Sequence, residues 1–230
     1  MPPNLNPGKR AGDMLQRKMR HVFHTLLLLC APAAMAAPFE MQFDDVNGQP
    51  VGGVVVALRS VDAGRPLARP VHAVMDQISL QFAPHVLVIP VGTPVSFPNT
   101  DSVAHQVYSF SPAKRFELEL YRGKPYQPVV FDKPGIVTLG CNIHDRMRAY
   151  VYVVEAQYYA RADHEGRWSV PDVEPGEYTL TIWHPLSRTQ APVLQQRVTI
   201  KAEGTQLTLR APAQMNLRTE SKLPANWDVY

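Results

Sequence analysis

The residues with the most chemistry to offer are Cys141-Asn142-Ile143-His144-Asp145-Arg146-Met147, a C-x-x-H-x-x-M spacing. One thiolate, one imidazole and one thioether fall within a single short loop. A second imidazole, His105, closes the upstream run Asn99-Thr100-Asp101-Ser102-Val103-Ala104-His105. Two imidazoles, a thiolate and a thioether make a soft donor set that selects copper, with the imidazoles and thiolate in a trigonal plane and the thioether weak and axial. Zinc accepts Cys and His, but a thioether is a poor zinc ligand. Taken singly, each residue has a plainer reading, since a lone Cys is most often a small buried hydrophobe. Four donor types together at loop positions favour the metal.

Such a loop works only if strands hold its ends. Cys141 directly follows an expected strand, Ile136–Leu139, and His105 follows another, Val95–Phe97. Further strands are expected at Phe39–Phe43, Gly53–Leu58, Val86–Pro90, Phe116–Tyr121, Val129–Phe131 and Ala149–Val154. The last third adds Trp168–Val170, Tyr178–Trp183, Val198–Ile200 and Leu207–Leu209. Gly92-Thr93 reads as the turn of a hairpin joining Val86–Pro90 to Val95–Phe97. Turns are also expected at Asp45-Val46-Asn47-Gly48, Glu165-Gly166, Pro175-Gly176 and Glu203-Gly204. No helical period is sustained, and 22 prolines and 13 glycines are spread along the chain. Regular short strands with this punctuation predict an all-β sandwich architecture.

The chain has 230 residues, enough for one or two domains with a real core. Residues 1–36 read as a signal peptide: Arg17-Lys18-Met19-Arg20, an apolar stretch around Val22–Ala34, then Ala34-Met35-Ala36 as an A-x-A cleavage site. The apolar run is too short to span a membrane, so no span is expected in the mature chain. Export past an inner membrane predicts a periplasmic location. The leader holds five basic residues and one acid, which leaves 18 basic and 19 acidic residues beyond it. Near-neutrality argues against nucleic acid, whose binding needs clustered Lys and Arg. With Cys30 removed alongside the leader, Cys141 is the one remaining cysteine, and no internal disulfide framework exists. Residues 213–230 are polar and patternless and read as a tail.

Residues 71–155 resemble the cupredoxins, the blue-copper fold of plastocyanin and amicyanin. The resemblance is carried by Val95-Ser96-Phe97-Pro98-Asn99 running to His105, by Lys133-Pro134-Gly135 before the strand into Cys141, and by the C-x-x-H-x-x-M loop, whose short spacing is most like amicyanin. It implies a Greek-key β-sandwich with one type 1 copper ion bound by His105, Cys141, His144 and Met147. Two positions depart from the family. Gln106 stands where many members have an Asn that braces the ligand loop, and Ile143 stands where many have Pro. These bear on potential and loop rigidity more than on metal identity. The chain as a whole also resembles exported cupredoxin-like proteins often labelled methylamine utilisation proteins.

Asp45–Gly53, Ala162–Val170 and Val173–Leu180 resemble a carboxypeptidase-regulatory-like, Ig-like β-sandwich. The expected organisation is therefore a cupredoxin domain at 66–155 inserted into a second, smaller sandwich built from 37–65 with 156–212. By resemblance, the function is to carry single electrons between redox partners: a c-type cytochrome, an exported dehydrogenase or an oxidase. The other mature histidines, His72, His85, His164 and His184, form no H-x-H pair of the kind further copper centres need, so the protein is not expected to be an enzyme. His184 reads as a core or turn residue and His164 as a solvated turn residue. A copper-delivery protein without electron transfer is the competing reading.

Overall fold

The computed structural model describes residues 36–123, 127–187 and 191–212. The expected tail at 213–230 and all but Ala36 of the expected leader lie outside the described residues. The chain opens with β1 (Ala37–Asp44) and β2 (Val55–Ser60), followed by the short strands β3 (Ala73–Val74), β4 (Asp76–Ile78) and β5 (Gln81–Ala83). The middle holds β6 (Val86–Pro90), β7 (Thr93–Ser96), β8 (His105–Ser111), β9 (Lys114–Tyr121), β10 (Val129–Phe131), β11 (Gly135–Gly140) and β12 (Arg148–Val154). The last third adds β13 (Tyr158–Arg161), β14 (Arg167–Val173), β15 (Gly176–Trp183), β16 (Leu194–Ile200) and β17 (Thr205–Arg210). No helix occurs among the described residues, and the fold is all-β.

Strands from the two ends of the chain share sheets. β1 lies between antiparallel β14 and parallel β17, while β2 lies between β13 and β15, with β16 beyond. Alternation along β1 turns Phe39, Met41 and Phe43 inward, where they join Val56, Leu58, Tyr178, Leu180, Ile182 and Ile200 in one apolar core. The middle strands make a second sandwich. Its larger sheet runs β6-β12-β11-β8-β9, and its other side is formed by β10-β7-β3 and the β4–β5 hairpin. Phe82, Phe97, Val107, Phe131, Val137, Leu139 and Val151 fill it, with Cys141 and Met147 among them.

A third apolar cluster lies on outer faces of two of these sheets. Val55 and Ala57 of β2 and Trp183 of β15 meet Val86 of β6, Ile136 of β11 and Tyr152 and Val154 of β12. β2 and β12 are thus buried on both faces. That explains why their sequences are almost unbroken apolar runs rather than alternating ones. Each large apolar side chain so buried contributes about 1.5–3 kcal/mol.

Two connections differ from expectation. The runs Val86–Pro90 and Val95–Phe97 do not form a hairpin: β6 pairs with β12, and β7 pairs with β10 and β3. Gly92, at φ 89°, instead carries the chain from one sheet across to the facing one, donating its N–H to Phe131 O at 2.7 Å. Two apolar runs about a glycine suit either geometry, and the crossover puts Val95 and Phe97 on the far side of the core. The second is an unexpected hairpin, β4–β5. Ile78 pairs with Gln81, so the loop is only Ser79-Leu80, and both residues are left-handed, at φ 52° and 60°. Left-handed conformation costs a non-glycine residue about 1–2 kcal/mol.

Candidate metal centre

Strand ends position the donors. Cys141 is the first residue after β11, and Met147 is the last before β12. Between them the loop closes on itself through Met147 N–H to His144 O at 2.8 Å. His105 is the first residue of β8 and not a loop residue; it is fully buried. β8 and β11 are neighbours joined through Gly140 and Tyr108, which brings His105 beside Cys141. Gly140 lets the Tyr108 ring lie close at that contact, since a Cβ there would be 2.7 Å from Cζ of Tyr108 and the ring would have to shift. The Tyr108 ring therefore rests directly on the backbone that leads into Cys141.

Three donor atoms converge. His105 Nδ1 lies 3.1 Å from His144 Nδ1, Cys141 Sγ lies 3.6 Å from His144 Nδ1, and Cys141 Sγ lies 3.8 Å from His105 Nδ1. The centre of the circle through these three points is about 2.0 Å from each, close to the ~2.0–2.1 Å and ~2.3 Å lengths of metal–imidazole and metal–thiolate bonds. Met147 is buried in the same apolar cluster as Cys141. Among the described residues, His105, Cys141 and His144 are the one group of His, Cys, Asp or Glu side chains arranged to hold a metal ion.

The imidazole of His105 is oriented from behind. Its Nε2 faces Asp101 Oδ2 at 3.0 Å, and that oxygen also accepts the Leu80 N–H at 2.7 Å. The Leu80 amide first, and His105 second, hold the Asp101 carboxyl down at about 2. Asp101 is thus a carboxylate acceptor at neutral pH, which places the His105 proton on Nε2 and leaves the Nδ1 lone pair directed at Cys141 and His144. The loop carrying Asp101 is braced by Asn99. Its Nδ2 donates to Val103 O at 3.0 Å and Tyr121 O at 2.9 Å, and its Oδ1 accepts the Asp101 N–H at 3.1 Å. Gln106 turns away and donates to Glu117 instead. Asn99 stood out only as part of the motif leading to His105, and the bracing role of Asn99, Asp101 and the Leu80 amide was not legible in the sequence. An Asp four residues before a ligand His was the one available sign.

The other histidines stand apart from this group. His72 pairs with Ser96 Oγ at 2.8 Å, and His85 packs edge-on against Tyr150. His164 is exposed in its turn, while His184 is buried. At the surface of the metal centre His144 is half-buried, and Ile143 beside it is 53% exposed.

These features define a two-histidine, one-cysteine donor cluster on a β-sandwich, and known proteins offer limited likenesses. The polysaccharide lyase family 4, domain II family matches residues 136–208, less than half of the chain, running from β11 into β17. No curated protein matches. Among solved structures, a copper-containing nitrite reductase from Thermus scotoductus is 28% identical over 42% of this chain and 25% of that one, with a TM-score of 0.35. A purple cupredoxin from Nitrosopumilus maritimus is 26% identical over 36% of this chain and 99% of that one, with a TM-score of 0.31. An amicyanin variant in its reduced Cu(I) form is 20% identical over 38% of this chain and 86% of that one, with a TM-score of 0.33. The chain spans a quarter of the length of the nitrite reductase.

Proposed function

We propose that this chain is a periplasmic protein that carries single electrons between redox proteins, holding one type 1 copper ion through His105, Cys141, His144 and Met147. The observation that most supports this reading is the convergence of two Nδ1 atoms and one Sγ on a single point. Copper bound there supplies a one-electron couple between Cu(I) and Cu(II). The protein supplies fixed donors. His105 and Cys141 sit at strand ends, 0% and 4% exposed, so the sheets set their positions in either oxidation state. Little rearrangement then accompanies gain or loss of an electron. The half-buried His144, flanked by Ile143, is the proposed exit, and a small apolar patch suits brief docking.

In this reading the leader ends near Ala36, the cupredoxin domain is 66–155, and 37–65 with 156–212 form the second sandwich. The partners are a c-type cytochrome, an exported dehydrogenase or an oxidase, and the protein itself is not an enzyme. Copper delivery is the second reading. It is favoured by His144 alone, since a half-buried donor on a short loop can leave the metal.

Visible and EPR spectra of the purified mature protein after Cu(II) addition test both readings. Electron transfer predicts an intense thiolate-to-copper band, small parallel hyperfine splitting, and copper retained through repeated reduction and oxidation in the presence of a chelator. Cys141→Ser should abolish the band. A colourless protein that binds copper and yields it to the chelator would support delivery, and absence of copper binding would remove the metal reading.

A further inference from the structure

We propose that the left-handed tip of the β4–β5 hairpin, Ser79-Leu80, is a positioning element of the metal centre that acts through Asp101 on His105. The inference rests on the reading of His105 as a copper ligand.

Two-residue hairpin loops with positive φ at both positions are the natural place for Asn-Gly. Here they are Ser and Leu, at φ 52° and 60°. Residues held this way persist where surrounding structure over-determines them, often at functional sites. Core burial does not hold this tip, since Leu80 is 49% exposed and Ile78 46%. What the tip makes is a polar contact, the Leu80 N–H to Asp101 Oδ2 at 2.7 Å. The same oxygen faces His105 Nε2 at 3.0 Å. The base of the hairpin is tied to the same loop. Thr100 Oγ1 donates to Asp76 Oδ2 at 2.9 Å, Thr100 N–H to Gln77 O at 3.1 Å, and Gln77 N–H to Pro98 O at 3.2 Å. The hairpin thus clasps residues 98–101 and sets one amide on the carboxylate that orients His105.

The electrostatic consequence has a sign. An N–H donor draws charge from Oδ2, so Asp101 pulls less strongly on the Nε2 proton of His105. A stronger pull would make the imidazole a better donor and favour Cu(II). The tip amide therefore raises the reduction potential above what an uncapped carboxylate would set.

Two loop variants separate this role from simple hairpin stability. Ser79→Asn/Leu80→Gly keeps a type I′ turn and the direction of the residue-80 amide. Ser79→Gly/Leu80→Ser favours type II′, in which the central peptide is turned over and that amide points away from Asp101. Both are normal two-residue hairpin loops. The readouts are the His105 Nε2–H signal in NMR of the metal-free protein and the reduction potential of the copper-loaded protein. The first variant should match wild type in both. The second should move the Nε2–H signal downfield and lower the potential, and both effects should vanish when Asp101→Asn is added. Wild-type values in the second variant, or an effect that persists undiminished with Asp101→Asn, would overturn the proposal. The NMR arm needs no metal. A tip-dependent His105 proton in a protein that binds no copper would support the relay while removing the copper reading.

Discussion

Two histidines outside the metal centre set how the protein responds to acid. Burial pushes His184 down to about 4 and His85 likewise to about 4, so both are neutral in the folded chain at neutral pH. His184 is 2% exposed, and its Nδ1 accepts the Leu186 N–H at 3.1 Å, a bond that only the unprotonated nitrogen can accept. Unfolding returns each ring to its ordinary value near 6.5. Between pH 6.5 and about 4 the unfolded chain binds more protons than the folded one, so stability falls as the pH falls through that window. The contribution is fully present above pH 6.5, and for His184 it amounts to about 3 kcal/mol. Urea denaturation of the metal-free protein should therefore show a midpoint that drops steeply between pH 7 and pH 4.5. His184→Asn keeps an acceptor near Nδ1 and removes the titration, so its midpoint should depend less on pH. An equally steep dependence in that variant would assign the acid sensitivity to other groups.

The β8–β11 contact is the element on which the donor geometry depends, and Gly140 is its pivot. Gly140→Ala would set a Cβ 2.7 Å from the Tyr108 ring. Either the half-exposed Tyr108 ring or the backbone beside Cys141 must give way, at a cost of up to about 1–3 kcal/mol typical of overpacking. We expect a lower denaturation midpoint and a shifted thiolate-to-copper band. In the Tyr108→Ala background the same Gly140→Ala change should cost much less, and an undiminished cost would place the strain elsewhere. The same strands show what the sequence could tell. β11 and β12 were legible as apolar runs bracketing C-x-x-H-x-x-M, so the loop and its donors could be read directly. β8 was not, because its pattern is inverted: His105, Ser109 and Ser111 point inward, while Tyr108 and Phe110 point outward. Hydrogen bonds make that possible, since Ser111 Oγ accepts the Thr138 N–H at 2.9 Å and Ser109 Oγ accepts the Ser111 N–H at 3.1 Å. The β4–β5 hairpin was equally hidden, because Ser-Leu carries no turn signal. Asp101 became readable only once that hairpin placed an amide behind it.

At the scale of the molecule, the seam around Trp183 decides whether the sandwich that carries the metal-centre candidates unfolds alone. Trp183 packs edge-on against Tyr150 at 5.3 Å and Tyr152 at 5.6 Å, both on β12, the strand that leaves the metal loop. β2 and β12 each lend one face to the seam and the other to a sandwich core, so unfolding either sandwich exposes apolar surface of its neighbour. That coupling predicts a single cooperative transition for the wild-type chain, with calorimetric and van't Hoff enthalpies in agreement. Trp183→Ala should cost about 3–5 kcal/mol, as buried tryptophans do, and should separate the transition into two. Trp183→Phe should cost much less. Among the described residues the buried indole Nε1 has no hydrogen-bond partner, so Phe keeps the apolar contact without breaking a bond made there. Trp183 belongs to a different cluster from Cys141 and Met147, so the copper spectrum of Trp183→Ala should stay that of the wild type below its first transition. A changed spectrum there would mean that the seam sets donor positions through β12, and the second sandwich would then be part of the metal centre's support.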